Sequence, residues 1–266
     1  MGILGWQAEL AQNLAKLVGL EEAAAEPYSL ALSYPRVTRS SVDSRIVQLR
    51  KLGVTRLEFI GPLKIGNVSV LGKGVAGIVI LGLAGSRKVA LKVRREDSRR
   101  ENLDHEAVML QAANDADVGP GYLGNTSDVL AMEFVEGESL PAWLSGLKGR
   151  GRKARLRATT RVLLEQCFRL DKSGLDHGEL SRAHKNVIVS SQDKPWIVDF
   201  ESASFQRRVS NVTSLTQYLF LGGGFAKKLA RAMGPVEREQ LLECLRAYKK
   251  EGTAKSLGKI LALLGV

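Results

Sequence analysis

The hydrophobic pattern changes period at Gly137, and this constrains the fold more than any other feature. Before it, apolar residues fall into short β-rich runs broken by glycines. After it, they recur at helical spacing. Val54–Ile60, Asn67–Leu71, Ile78–Leu83 and Lys88–Val93 predict an antiparallel meander. Arg99–Asn114 predicts one helix with Leu103, Ala107 and Leu110 inward, followed by a Gly119-Pro120-Gly121 turn and strands at Gly121–Leu123 and Val129–Phe134. Beyond Gly137, helices are expected over Ser139–Leu147, Ala154–Ser173 and from Ser214 onward, with short strands at Val187–Val189 and Trp196–Asp199. A handful of strands with one helix, then a helical half, predicts an α+β chain of two lobes, 54–136 and 137–266.

The stretch ahead of Val54 reads differently. Leu4, Ala8, Ala11, Leu14, Ala15 and Val18 predict an amphipathic helix over Leu4–Leu20, followed by a connector carrying Pro27 and Pro35. A second helix carries Ile46, Leu49 and Leu52; Ser41 or Asp43 caps it and Gly53 stops it. Residues 1–53 are therefore expected to form a helical extension packed on the lobe that follows, with a separate small helical module as the alternative.

At 44% hydrophobic and 25% charged, the chain can bury a core. Its net charge of +11 suits nucleic-acid or ribosomal association, although a basic protein is also simply soluble. Cys167 and Cys244 have no metal-ligand spacing and fit a reducing, cytoplasmic setting. No apolar run approaches the roughly 18–20 residues of a membrane span, and Gln7, Glu9 and Gln12 interrupt any leader-like segment. No membrane association is expected.

Four motifs carry chemistry. Gly72-Lys73-Gly74-Val75-Ala76-Gly77-Ile78-Val79 lies between two strands, whereas a dinucleotide fingerprint must open a helix. Its glycines let backbone N–H groups approach polyphosphate oxygens. Lys92 follows Gly77 by fifteen positions, and strand alternation puts it on one face with Ala90, opposite Val89, Leu91 and Val93. Such a lysine needs an anion, which Glu106 or Glu101 on the next helix supplies. His177-Gly178-Glu179-Leu180 and Val198-Asp199-Phe200-Glu201 bring carboxylates. No Ser/His/Asp or Cys/His constellation is evident.

In this order the four motifs resemble the protein-kinase superfamily, particularly atypical members such as the RIO kinases and small archaeal predicted serine/threonine kinases, over roughly Gly66–Leu221. The resemblance implies a two-lobed kinase-like fold binding ATP and Mg²⁺. It implies a phosphate loop at Gly72, Lys73, Gly74, Val75, Gly77 and Val79, with Ala90 against the base. Lys92 would hold the α/β-phosphates. Glu106 would be its partner, because Leu110 completes a Glu-x-x-x-Leu setting. Met132-Glu133-Phe134-Val135 resembles a hinge, with Met132 as gatekeeper and the Glu133 carbonyl and Val135 amide reading adenine. Asp199 would bind Mg²⁺, and Glu179 stands where the family places its catalytic aspartate.

The chain departs from that pattern at three points. Glu replaces Asp at 179, on a stem one methylene longer. The family's metal-binding Asn would fall at His184, whereas Asn186 leads into the strand that normally follows it, which a two-residue insertion explains. Ser181 replaces a lysine that Arg182 or Lys185 would substitute. The expected reaction is transfer to a serine or threonine hydroxyl of a protein, including this one. Small-molecule kinases of the aminoglycoside or choline type share His177-Gly178-Glu179 and Asp199-Phe200-Glu201. An ATP-binding pseudokinase module in an RNA or protein assembly is the third reading.

Overall fold

The computed structural model describes residues 17–266, an α+β chain. It forms two compact units: residues up to 108 with 121–134, and 109–120 with 135–266. Of the helix expected over Leu4–Leu20, all but the last four residues lie outside the described residues. Among the described residues no helix is long and apolar enough to cross a membrane.

The first unit contains β1 (Leu17–Gly19), α1 (Leu20–Ala23), α2 (Ser29–Leu32), α3 (Arg39–Lys51), β2 (Val54–Glu58), β3 (Leu63–Ile65), β4 (Val68–Val70), β5 (Gly72–Lys73), β6 (Gly77–Ala84) and β7 (Arg87–Arg94). The start of α4 (Asp104–Asp115), β8 (Tyr122–Asn125) and β9 (Val129–Glu133) complete it. Its main sheet is antiparallel in the order β1-β2-β6-β7-β9-β8, with β5 also on β6, and β3 pairs with β4 in a separate hairpin. Alternation sorts its two faces. Ile78, Ile80, Val89, Leu91, Val93, Val129 and Ala131 enter one core with Val18, Leu32, Val42, Ile46 and Leu49. The segment before Val54 thus covers one face of the sheet, which leaves Lys92 on the other.

Three local expectations need correction. Leu17–Gly19 is strand rather than helix end: it pairs with β2 and buries Val18 completely. Thr38, not Ser41 or Asp43, caps α3, its hydroxyl accepting from the Ser41 N–H at 3.2 Å. Helix α4 begins at Asp104 rather than Arg99. The Leu103 N–H donates to Ser127 O, and the Asn102 carboxamide accepts from the Asp104 N–H, so the helix starts only there. Glu101 consequently lies off the helix.

The second unit contains β10 (Glu138–Ser139), α5 (Leu140–Gly146), α6 (Arg152–Ser173), a 3-10 turn (Leu180–Arg182), α7 (Ala183–Asn186), β11 (Val187–Val189), β12 (Pro195–Ile197), α8 (Asn211–Phe220), α9 (Gly223–Met233), α10 (Arg238–Glu251) and α11 (Ala254–Leu264). The strand expected to reach Asp199 ends at Ile197, because Asp199 turns to φ 69°. Helix α6 buries Leu156, Leu163, Leu164, Cys167 and Leu170, a stripe at helical spacing that packs on α8 and β12. At its end Asp171 accepts from the backbone N–H groups of Asn211 and Val212, the Asn211 carboxamide and the Tyr248 hydroxyl. One carboxylate therefore caps α8 and ties it to α6 and α10. Burial still pushes that carboxyl above its ordinary range, against those hydrogen bonds.

Candidate functional site

In the first unit, β5 and β6 fold the glycine segment into a hairpin whose second strand pairs with β7. Gly72 pairs with Val79 and Lys73 with Ile78, and the Gly74 N–H donates to Gly77 O at 2.8 Å, closing the tip on Gly74–Gly77. Val75 stands at this tip, 78% exposed. Val79 lies opposite Lys92, which lies opposite Leu130, while Ala90 lies between Leu81 and Met132. Direct cross-strand partners share a face, so Val79, Ala90, Lys92 and Met132 line one surface. Lys92 is only 4% exposed, and its Nζ stands 2.9 Å and 2.8 Å from the two carboxylate oxygens of Glu106, itself 3% exposed. A buried ammonium requires such a partner. Glu133 ends β9, donating its N–H to Gly121 O and receiving the Gly121 N–H on its carboxylate. Val135 falls in the second unit.

Side chains outside the motif hold the glycine turn. Arg95 donates to Gly74 O at 2.9 Å and its N–H to Ala76 O. Tyr34 takes a hydrogen bond from Lys73 at 2.7 Å, with Lys73 and Arg95 both over its ring. Behind β7, Asp128 joins Arg45, Arg94 and Gln48 in a buried network. Burial raises the Asp128 carboxyl, but the hydrogen bonds of Gln48 and Arg94 and the charges of Arg45 and Arg94 outweigh it and hold it below its usual range.

In the second unit the two carboxylate motifs are zipped together. Asp176 and Ser204 exchange both main-chain hydrogen bonds. His177 is fully buried; its Nε2–H donates to Val198 O at 3.1 Å and its ring lies 5.0 Å from that of Phe200. Burial lowers its pKa, against the Val198 carbonyl and the charges of Asp199, Glu179 and Asp176, so the ring is a neutral brace. Gly178 adopts φ 85°, and a Cβ there would strike Arg207 and Ser202 O. Next to it, Glu179 is half-buried and its Oε1 accepts from the Ser202 hydroxyl at 2.7 Å.

Asn186 is buried, whereas His184 is exposed. The Asn186 carboxamide reaches Glu179 O at 3.4 Å, and its own carbonyl accepts the Val198 N–H at 3.0 Å. The backbone thus sets Asn186 beside the residue preceding Asp199. Asp199 adopts φ 69°, a left-handed conformation that costs a non-glycine residue energy and clusters at functional positions. Phe200 is buried against Gly119, where an added Cβ would come 2.8 Å from its ring.

Ser202, Arg207, Ser210 and Asn211 escape sequence reasoning. Arg207 and Ser210 hold the Asp176 carboxylate, and Asn211 accepts the His177 N–H. All four lie far along the chain from what they hold, and no local pattern marks them. Asp176 is 4% exposed and occupied by these donors, which fits a structural hub.

No protein-family model matches the chain. It is 29% identical over 121 residues to the uncharacterized protein MJ1211 of Methanocaldococcus jannaschii, an alignment covering 45% of this chain and 99% of that protein.

Proposed function

We propose that the two units are the N- and C-lobes of a protein-kinase-like fold, and that the chain is an atypical serine/threonine protein kinase using ATP and Mg²⁺. The observation that carries this reading is the buried pair of Lys92, on the strand next to the glycine hairpin, with Glu106 of α4. A lysine kept extended and charged by a buried carboxylate is suited to grip the oxygens of a polyphosphate. The tip of the Gly72–Gly77 turn is exposed at Val75, where a polyphosphate can approach the backbone.

Asp199 and Asn186 offer a carboxylate and an amide carbonyl, the hard oxygen donors that Mg²⁺ takes. When bound, the ion would neutralise charge on the transferring phosphoryl group. Glu179 would orient the acceptor hydroxyl, its carboxylate steered by Ser202. His177 would hold the loop without exchanging a proton, since burial keeps it neutral. Most of the rate enhancement in this chemistry comes from positioning and electrostatics.

The test is incubation with γ-labelled ATP and Mg²⁺, alone and with generic protein acceptors or small alcohols. Label on the chain or on a protein, lost in a folded Lys92→Met variant, supports the reading. Label on small alcohols only moves it to the small-molecule kinases. Metal-dependent ATP binding with no transfer to any acceptor makes the chain a pseudokinase module.

A further inference from the structure

The positive charge of this chain is concentrated. Ser139–Leu164 holds seven lysines and arginines and no acid; Ser202–Val236 holds five and no acid. Together they take twelve of 39 cations and none of 28 acids, so the remaining residues carry 27 cations against 28 acids and are nearly neutral. Both stretches belong to the second unit. They meet at a hollow lined by Leu144 and Ser145 of α5, Arg152 at the start of α6, and Lys228 and Arg231 of α9, with no carboxylate in the lining. All three cations are exposed. Three cations around one hollow, with no acid to offset them, create a field that recruits an anion.

A second feature lies on the same edge of α9. Phe225, Lys228 and Arg231 follow one another at i, i+3 and i+6, so they form one stripe on that helix. Phe225 stacks on Tyr218 at 5.1 Å between ring centroids, and Tyr218 on His184 at 6.1 Å. Phe225 and Tyr218 are half-buried and His184 is exposed. An aromatic ladder running into a cationic stripe is what a single strand requires, with π-faces for bases and charges for the backbone. A bilayer would need large exposed apolar side chains to insert, and α5 and α9 present none. An acidic peptide would use the charges but leave the ladder idle.

We propose that the face formed by Arg152, Lys228, Arg231 and the Phe225–Tyr218–His184 ladder binds single-stranded nucleic acid, phosphates on the cations and bases on the aromatic edge. This site is independent of phosphoryl transfer and stands whether or not the chain turns over ATP.

The experiment titrates the full chain into a fluorescent single-stranded RNA of about 20 nucleotides, reading anisotropy across a salt series. A DNA arm of the same sequence distinguishes ribose from deoxyribose as the preferred backbone. Arg152→Glu/Lys228→Glu/Arg231→Glu is expected to weaken RNA binding at least tenfold. It should also lower the log–log salt slope by about 2, since each lost phosphate contact removes about 0.7. Lys51→Glu/Arg56→Glu/Lys88→Glu makes the same charge change on exposed first-unit residues and should change affinity less than about threefold. Phe225→Leu keeps an apolar side chain but removes the ring, and should weaken RNA by about tenfold, in the range of one lost stacked base, while leaving binding of inorganic polyphosphate unchanged. Equal losses from both charge triples would overturn the site, because net charge alone would then explain binding. RNA affinity indifferent to Phe225→Leu, or polyglutamate competing as well as RNA per charge, would overturn the nucleic-acid assignment. The substituted residues other than Phe225 are exposed, and superimposable melting curves exclude unfolding as the cause.

Discussion

Gly77 presses directly on the stem of Lys92: a Cβ added at Gly77 would stand 2.8 Å from Lys92 Cγ and 2.9 Å from Val93 O. One obstacle is backbone, so the clash cannot be relieved by side-chain motion alone. Gly77→Ala is expected to cost about 1–3 kcal/mol through overpacking and to displace the lysine from Glu106. Denaturant melts should show that loss, and nucleotide affinity should fall with it; a variant as stable as wild type with unchanged ATP affinity contradicts the packing argument.

Lys92→Ala should do more than remove a phosphate ligand. It leaves the Glu106 charge buried and unpaired, a loss of about 3–5 kcal/mol. Replacing both partners, Lys92→Met with Glu106→Leu, should recover most of that stability and none of the nucleotide binding. A double-mutant cycle on unfolding free energies measures the coupling. Additive costs would mean that the pair is not coupled.

Asp199→Asn should remove most of the metal dependence of nucleotide stabilisation while preserving the fold. In wild type, ATP with Mg²⁺ is expected to raise apparent stability by about 2.7 kcal/mol at 100 times Kd. Thermal melts with ATP alone, Mg²⁺ alone and both together provide the measurement. A wild-type melting curve indifferent to ATP with Mg²⁺ at millimolar concentration counts against the proposed function.

Around Glu179 the expected ranking follows burial and contacts. Glu179→Gln should retain ATP binding and lose transfer, because the amide cannot accept the acceptor's proton. Asn186→Ala should weaken metal-dependent steps, whereas the exposed His184 should tolerate alanine in the transfer assay. Single-turnover measurements with varied Mg²⁺ separate these effects; a critical His184 with a dispensable Asn186 would reverse the assignment.

Asp128→Asn tests the network behind β7. Removing that charge leaves Arg45 and Arg94 without their shared carboxylate and should cost about 3 kcal/mol near neutral pH. The carboxyl is held below its ordinary value, so its stabilisation is fully present above about pH 4, the unfolded range. It is lost as pH falls through the lower folded value. The gap between wild type and Asp128→Asn should therefore close in acid, as urea melts from pH 7 down to pH 3 will show.

Much of the first unit is legible because β6 and β7 are eight residues each, long enough for their alternation to be read, and a one-residue slip would turn every side chain to the opposite face. That alternation also places Lys92 beside Ala90, and the first turn of α4 carries Glu106. Strand β1 is illegible because three residues carry too little period to outweigh an apparently helical run around them. The true start of α4 depends on Ser127 receiving the Leu103 N–H, a contact across 24 positions. Ser202 beside Glu179 and Arg207 beside Asp176 are likewise products of the fold, since a hydroxyl or guanidinium gives no local signal of which distant carboxylate it will meet.

The pairing of Leu17–Gly19 with β2 has a practical consequence for anyone shortening this protein. Cutting at residue 53, where the sequence changes character, would strip β2 of its outer neighbour and open a ladder of unpaired N–H and C=O groups. It would also bare Leu57, Ile80 and Leu91, which the lost helices cover. Such a fragment would join edge to edge with copies of itself, and its insolubility would say nothing about the chemistry of the remainder.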